Sequence, residues 1–166
     1  MNKTNVVGII IALTVLGGII WFAQPGSESS TASASSVKTV GSLAVEETNF
    51  DFGTVSMAAG NVTHAFKIKN AGSEDVVIEK MYTSCMCTIA SLIKNEKQFG
   101  PYGMPGHGFI PSMNEIMRSG EEATISVTFD PAAHGPAGIG RIERTVSIEN
   151  STGKPIKLEF STSVTP

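Results

Sequence analysis

Thr83-Ser84-Cys85-Met86-Cys87-Thr88 holds both cysteines of the chain, two residues apart. In an extended segment residues i and i+2 project to the same side, so Cys85 and Cys87 point together with Met86 opposite. Their Cα atoms then lie roughly 6.5–7 Å apart, at the outer limit for a disulfide, and a bond between them needs a bent backbone. Two parallel thiols at that separation suit chelation of one soft ion instead, since thiolates favour zinc or Cu(I). The competing account is structural, with both sulfurs serving as small buried hydrophobes at a strand end.

The histidines are the other natural ligands. His64 lies in Val62-Thr63-His64-Ala65-Phe66. His107 lies in a stretch rich in Gly and Pro, Phe99 to Gly108, which also carries Met104. His134 lies in Ala133-His134-Gly135-Pro136. A glycine beside two of them lets the backbone fold closely around a site.

The elements that must position these groups follow from periodicity. From Val37 onward, apolar and polar residues alternate. Val62, His64, Phe66 and Ile68 form one stripe; Ala123, Ile125, Val127 and Phe129 form another. Ile142, Arg144, Val146 and Ile148 form a third, and Ile156, Leu158, Phe160 and Thr162 a fourth. Val76–Tyr82 is a β-branched apolar run. This is strand alternation with one buried face. Asn70-Ala71-Gly72-Ser73, Ser119-Gly120, Asp130-Pro131 and Asn150-Ser151-Thr152-Gly153 separate the runs as turns. The pattern predicts an all-β fold, an Ig-like antiparallel β-sandwich of about seven strands over residues 43–166. Residues 91–117 read as an insertion whose Gly- and Pro-rich middle is a loop, with a helical turn near Ser112–Met117.

Residues 6–23 carry no charge and, as a helix, extend about 27 Å, enough to span a hydrocarbon core. Trp21 and Phe22 sit where an interfacial aromatic belt belongs. Lys3 precedes the run and no basic residue follows before Lys38, which orients the N-terminus toward the cytoplasm. The expectation is a single-pass cell-membrane anchor over residues 1–23, a Ser/Ala-rich linker over 24–42, and an extracytoplasmic C-terminal domain. A cleaved signal peptide is the rival, although Ala32-Ser33-Ala34 lies far downstream for a cleavage site. The linker is too poor in apolar residues to order itself.

Net charge is −3, which leaves no basic footprint for nucleic acid. Two cysteines are too few for a disulfide scaffold. No nucleophile elbow, phosphate loop or paired-carboxylate motif appears, so the chain does not read as an enzyme.

Phe50-x-Phe52-Gly53, His64-x-Phe66-x-x-x-Asn70-x-Gly72, Ser84-Cys85-x-Cys87-Thr88, Ser119-Gly120-Glu121 and Phe129-Asp130 occur in that order. The series resembles a widespread bacterial exported family of unknown function, over residues 43–165. Its domain is Ig-like and related to hydin and abnormal-spindle β-sandwiches. The resemblance implies a seven-stranded sandwich and lends no catalytic residue. Met86 stands where the family commonly has glycine, and the insertion is longer than usual.

An up-and-down arrangement places the start of the His64 strand, the end of the cysteine strand and the loop after Phe129 at one pole. The expected metal ligands are Cys85, Cys87, His107 and His134, with Met104 and His64 as further candidates. Four Cys and His ligands suit Zn(II), and thioether ligands shift the set toward Cu(I). For His64 a hydrogen-bonded core position competes with ligation, and His107 and His134 compete as exposed loop residues. The functional expectation is a membrane-anchored extracytoplasmic binding or structural module with a soft-metal site, engaging a protein or envelope partner. Its alternatives are a structural or interaction domain without metal, and a thiol redox protein using Cys85 and Cys87. The redox alternative is weakened by the absence of a helix N-terminus to lower a thiol pKa.

Overall fold

The computed structural model describes residues 38–40, 42–106 and 109–166. The expected anchor, nearly all of the expected linker, and His107 lie outside the described residues. Among the described residues no helix is long and apolar enough to cross a membrane.

Among the described residues eleven strands make two sheets. In chain order they are β1 (Lys38–Val40), β2 (Leu43–Val45), β3 (Asn49–Ser56), β4 (Val62–Asn70), β5 (Val76–Thr83) and β6 (Thr88–Lys94). There follow β7 (Lys97–Tyr102), β8 (Glu115–Met117), β9 (Glu122–Phe129), β10 (Gly140–Asn150) and β11 (Ile156–Thr165). One sheet has the order β1-β2-β4-β9-β6-β7 and the other β3-β11-β10-β5-β8. Two short 3-10 turns, Met57–Ala59 and Gly135–Gly138, are the only helical pieces among the described residues.

The alternating stripes explain the layering. Phe66 and Ile68 of β4, Ile125 and Val127 of β9, Val146 and Ile148 of β10, and Leu158 and Phe160 of β11 are all buried between the sheets. Each fully buried side chain of this size contributes about 1.5–3 kcal/mol of transfer free energy. The polar residues between them face outward, as a period of two requires.

The architecture corrects the sequence expectation in four places. Eleven strands replace about seven, because β1, β2 and β8 span only three residues each and are too short to show alternation. The sandwich is not wholly antiparallel: β3 pairs with β11 in parallel, Phe50 opposite Phe160 and Val55 opposite Val164. The stretch expected to be a loop contains β7, even though it includes Gly100-Pro101. Strand β7 is the outer strand of its sheet, where a residue without an N–H is tolerated, and its register shifts between Ala90 and Leu92. The expected helical turn near Ser112–Met117 ends instead in β8, which pairs with β5 through Val76–Met117.

Two motif glycines have local causes. Gly53 has φ 69° at the point where two residues of β3 oppose one of β11, and its N–H donates to Asp51 Oδ1 at 2.9 Å. A bulge of this kind favours a residue without Cβ. Gly72 is required by space: a Cβ there would lie 2.3 Å from Ser42 Cβ. Asn70, fully buried, braces the same turn by donating to Met117 O and Glu74 O while accepting from Gly72 N–H.

Candidate metal centre

The cysteines do not sit on an extended strand, as the spacing suggested. They occupy the tight turn by which the chain leaves β5 in one sheet and enters β6 in the other. Ser84 still belongs to the ladder, donating its N–H to Thr145 O at 2.9 Å and accepting Thr145 N–H on Oγ at 3.0 Å. The chain then turns, and Thr88 N–H returns to Cys85 O at 3.2 Å. The buried Thr83 hydroxyl lies 3.0 Å from both the Cys85 and Thr88 carbonyls, sharing its proton between them. Both sulfurs are free thiols, and both side chains belong to the apolar core. Cys87 is deeply buried, and Cys85 lies nearer the surface.

The β9 exit loop comes to this turn for a defined reason. Thr88 and Phe129 are register partners, so the start of β6 lies beside the end of β9. The next residue continues the contact: Asp130 N–H donates to Cys87 O at 2.9 Å. Asp130 Oδ1 then accepts Ala132 N–H and bends the loop back. Gly138 leaves room for His134, since a Cβ there would stand 3.1 Å from His134 Cβ. The imidazole reaches the turn, with Nε2 3.1 Å from Cys85 Sγ.

Cys85, Cys87 and His134 each present one ligand atom, and these three atoms lie within 4.8 Å of one another. Cys85 and Cys87 are buried, whereas His134 is exposed, so the group opens to solvent on its imidazole side. Cys85 Sγ also accepts Cys87 N–H at 3.4 Å. Arg144 of β10 completes the surroundings, its Nε donating to Cys87 Sγ at 3.3 Å.

These contacts set the proton affinities. Burial pushes the Cys85 thiol up, but hydrogen bonds from the Cys87 side chain, His134 and the Cys87 backbone, with the Arg144 charge, bring it down to about 7. Burial and the neighbouring Cys85 sulfur push Cys87 up, against hydrogen bonds from Arg144 and Thr88. Burial also acts to lower the Arg144 pKa, but the Cys87 and Cys85 sulfurs outweigh it and hold the guanidinium charged. The pair therefore divides into a ready thiolate and a retained thiol. No helix N-terminus is among the causes of the lowered Cys85 pKa, which are side-chain and backbone hydrogen bonds and the Arg144 charge.

The other candidates are placed differently. His64 is apart from the sulfurs. Its ring stacks on Phe50 at 3.5 Å between centroids, meets Phe66 edge-on, and pairs through Nε2 with Glu47. It faces inward with Phe66 and Ile68, and a core-facing stripe reads the same in sequence whether its histidine binds a metal or stacks. Met104 follows Gly103, whose carbonyl accepts Thr83 N–H at 3.1 Å, so this backbone passes the end of β5; its side chain is half-buried.

Arg144 was missed as a site residue. The signal was present, because it is the only charged side chain in the stripe Ile142, Arg144, Val146, Ile148. A charge facing a core calls for a partner, and here the partner is a sulfur.

Residues 43–103 match the family model described as "Protein of unknown function (DUF1573)". The matched stretch includes the Phe50, His64 and Cys85-x-Cys87 motifs; Ser119-Gly120-Glu121 and Phe129-Asp130 lie beyond it. No curated protein matches the chain. Among solved structures, a protein of unknown function from Porphyromonas gingivalis is similar at 12% identity and a TM-score of 0.52, over 75% of this chain and 49% of that one. This chain thus spans about half the length of that protein, and at such identity the likeness is one of fold. The ASH / PapD-like domain 7 of human CEP192 aligns at 15% identity and a TM-score of 0.45, over 75% of this chain and 86% of that one. The secreted serine protease VesC from Vibrio cholerae aligns at 14% identity and a TM-score of 0.43, over 69% and 21%.

Proposed function

We propose that this chain is an N-terminally anchored, extracytoplasmic β-sandwich module that binds one soft metal ion through Cys85, Cys87 and His134. The observation that carries the metal site is the convergence of two sulfurs and an imidazole nitrogen to within 4.8 Å. Three groups separated by up to 49 residues meet because the β5–β6 turn and the β9 exit loop are hydrogen-bonded to each other. Soft thiolates with imidazole favour copper or zinc, and an ion entering the group displaces thiol protons. Met104 is a further ligand of the proposed set, and the expected ligand His107 lies outside the described residues. The anchor is supported by the uncharged run of residues 6–23. The partner is an envelope or extracytoplasmic protein, and the sandwich presents the site to it.

The test uses the full chain, purified anaerobically, with free thiols counted before Cu(I) and Zn(II) titrations. One ion per chain is expected, lost in Cys85→Ser and weakened in His134→Ala. Free thiols with no binding of either ion would leave a structural or interaction domain without metal. Membrane fractionation of the full chain and of a chain lacking residues 1–23 tests the anchor: only the full chain should sediment with membranes.

Thiol–disulfide exchange through Cys85 and Cys87 is the alternative reading, favoured by the Cys85 pKa of about 7. The Cys85 thiolate would attack a partner disulfide, breaking its S–S bond and releasing one partner sulfur as a thiolate. Cys87 would then lose its proton, attack Cys85 Sγ and release the second partner sulfur. The partner leaves as a dithiol and this chain as the disulfide. Stoichiometric oxidation of both cysteines by a model disulfide, without metal binding, would favour this chemistry over the first.

A further inference from the structure

Resting on the metal site proposed above, we propose that Arg144 makes that site selective for a monovalent ion, Cu(I), over a divalent one. The argument is a charge count. With an ion bound, Cys85 and Cys87 contribute two negative charges and His134, as a neutral ligand, none. Arg144 lies against the Cys87 sulfur and brings one positive charge. A monovalent ion then makes the cluster neutral, whereas a divalent ion leaves it with a net positive charge.

Among the described residues, no carboxylate belongs to the Cys85–Cys87–His134 group. The carboxylates of Asp130 and Glu143 make their contacts outside this set. Asp130 Oδ1 accepts Ala132 N–H, and Glu143 Oε1 pairs with Arg141. Cys87 is buried, so water screens this charge poorly. Arg144 also cannot withdraw easily. Its Nη1 donates to Glu143 O at 2.8 Å, and its stem rises from the inward stripe of β10 next to the ladder residue Thr145. A guanidinium is charged at every relevant pH, so it cannot relieve the excess by losing a proton.

Softness alone already favours Cu(I) at thiolates, so the test is the change in preference when the charge is removed. Anaerobic competition titrations with chromophoric chelators give Cu(I) and Zn(II) affinities for the full chain and for Arg144→Gln, Arg144→Met and Arg144→Lys. The two neutral replacements, one polar and one apolar, provide for the failure of either to fold. The expected result is a fall in the Cu(I)/Zn(II) affinity ratio of about tenfold or more in both neutral variants. Arg144→Lys, which keeps the charge, should stay near the original ratio. An unchanged ratio in a folded neutral variant would overturn the role of Arg144 while leaving the metal site standing. Failure of the unmodified chain to bind either ion would overturn the metal site itself, and this proposal with it.

Discussion

His134 Nε2 stands 3.1 Å from Cys85 Sγ, joining the loop after β9 to the turn before β6. The imidazole is one of the groups that holds the Cys85 thiol below its ordinary range. His134→Ala should therefore raise the midpoint of Cys85 thiolate formation from about 7 toward the ordinary thiol value, about 9. The pH dependence of Cys85 alkylation, read by peptide mass spectrometry in the chain that keeps Cys87 and its hydrogen bond, measures this with His134 present or replaced. An unmoved midpoint would show that the other neighbours hold the thiolate without it.

The same thiol couples stability to pH. The unfolded chain keeps the Cys85 proton up to about pH 9, while the folded chain releases it near 7. Between those values the unfolded state binds more protons, so stability rises with pH. The contribution is present above pH 9 and is lost as pH falls through 7. Cys87 is shifted up, so its contribution has the opposite sign and is lost above pH 9. Urea midpoints measured at about pH 6.5 and about pH 8.5 should show the unmodified chain gaining on Cys85→Ser at the higher pH. Parallel pH dependence of the two would contradict the assigned shift.

Asn70→Ala should cost about 2–4 kcal/mol, since it strips partners from the buried Met117 carbonyl and from the Glu74 and Gly72 backbone groups. Chemical denaturation measures the loss. Asn70→Asp recovers only the bond from Gly72 N–H, because a carboxylate cannot donate to the two carbonyls. A loss below about 0.5 kcal/mol in Asn70→Ala would mean that water replaces the amide.

Gly72→Ala should cost about 1–3 kcal/mol through the 2.3 Å approach of its Cβ to Ser42 Cβ. Ser42→Gly removes the opposing atom, so the double variant should recover part of the loss. A thermodynamic cycle over the four chains isolates that coupling. Strict additivity would place the cost in the backbone instead.

Strands with clear alternation were legible in sequence: β4, β9, β10 and β11 fall where Val62, Ala123, Ile142 and Ile156 begin their stripes. Three-residue strands carry no period, so β1, β2 and β8 were not. The Gly100-Pro101 pair concealed β7, because composition says nothing about whether a strand is an outer one. Gathering of Cys85, Cys87 and His134 followed from strand direction alone, and direction survived the change in strand count. His64 and Arg144 exchanged roles for one reason: both sit on inward stripes, and only the opposite sheet decides what each side chain meets there. The Asn150-Ser151-Thr152-Gly153 turn shows the same limit, since its polar composition did not reveal that Asn150 is buried with its amide donating to Lys154 O.

The Ser84–Cys87 turn is where the chain passes from one layer to the other, with His134 arriving from the β9 side and Arg144 from β10. An occupant held among these groups would rivet the two layers at one end. Amide hydrogens in β5 and β10 would then exchange more slowly together with those in β6 and β9, although no ligand touches most of them. Loading of so small a centre would thus be felt as stiffness across the width of the sandwich.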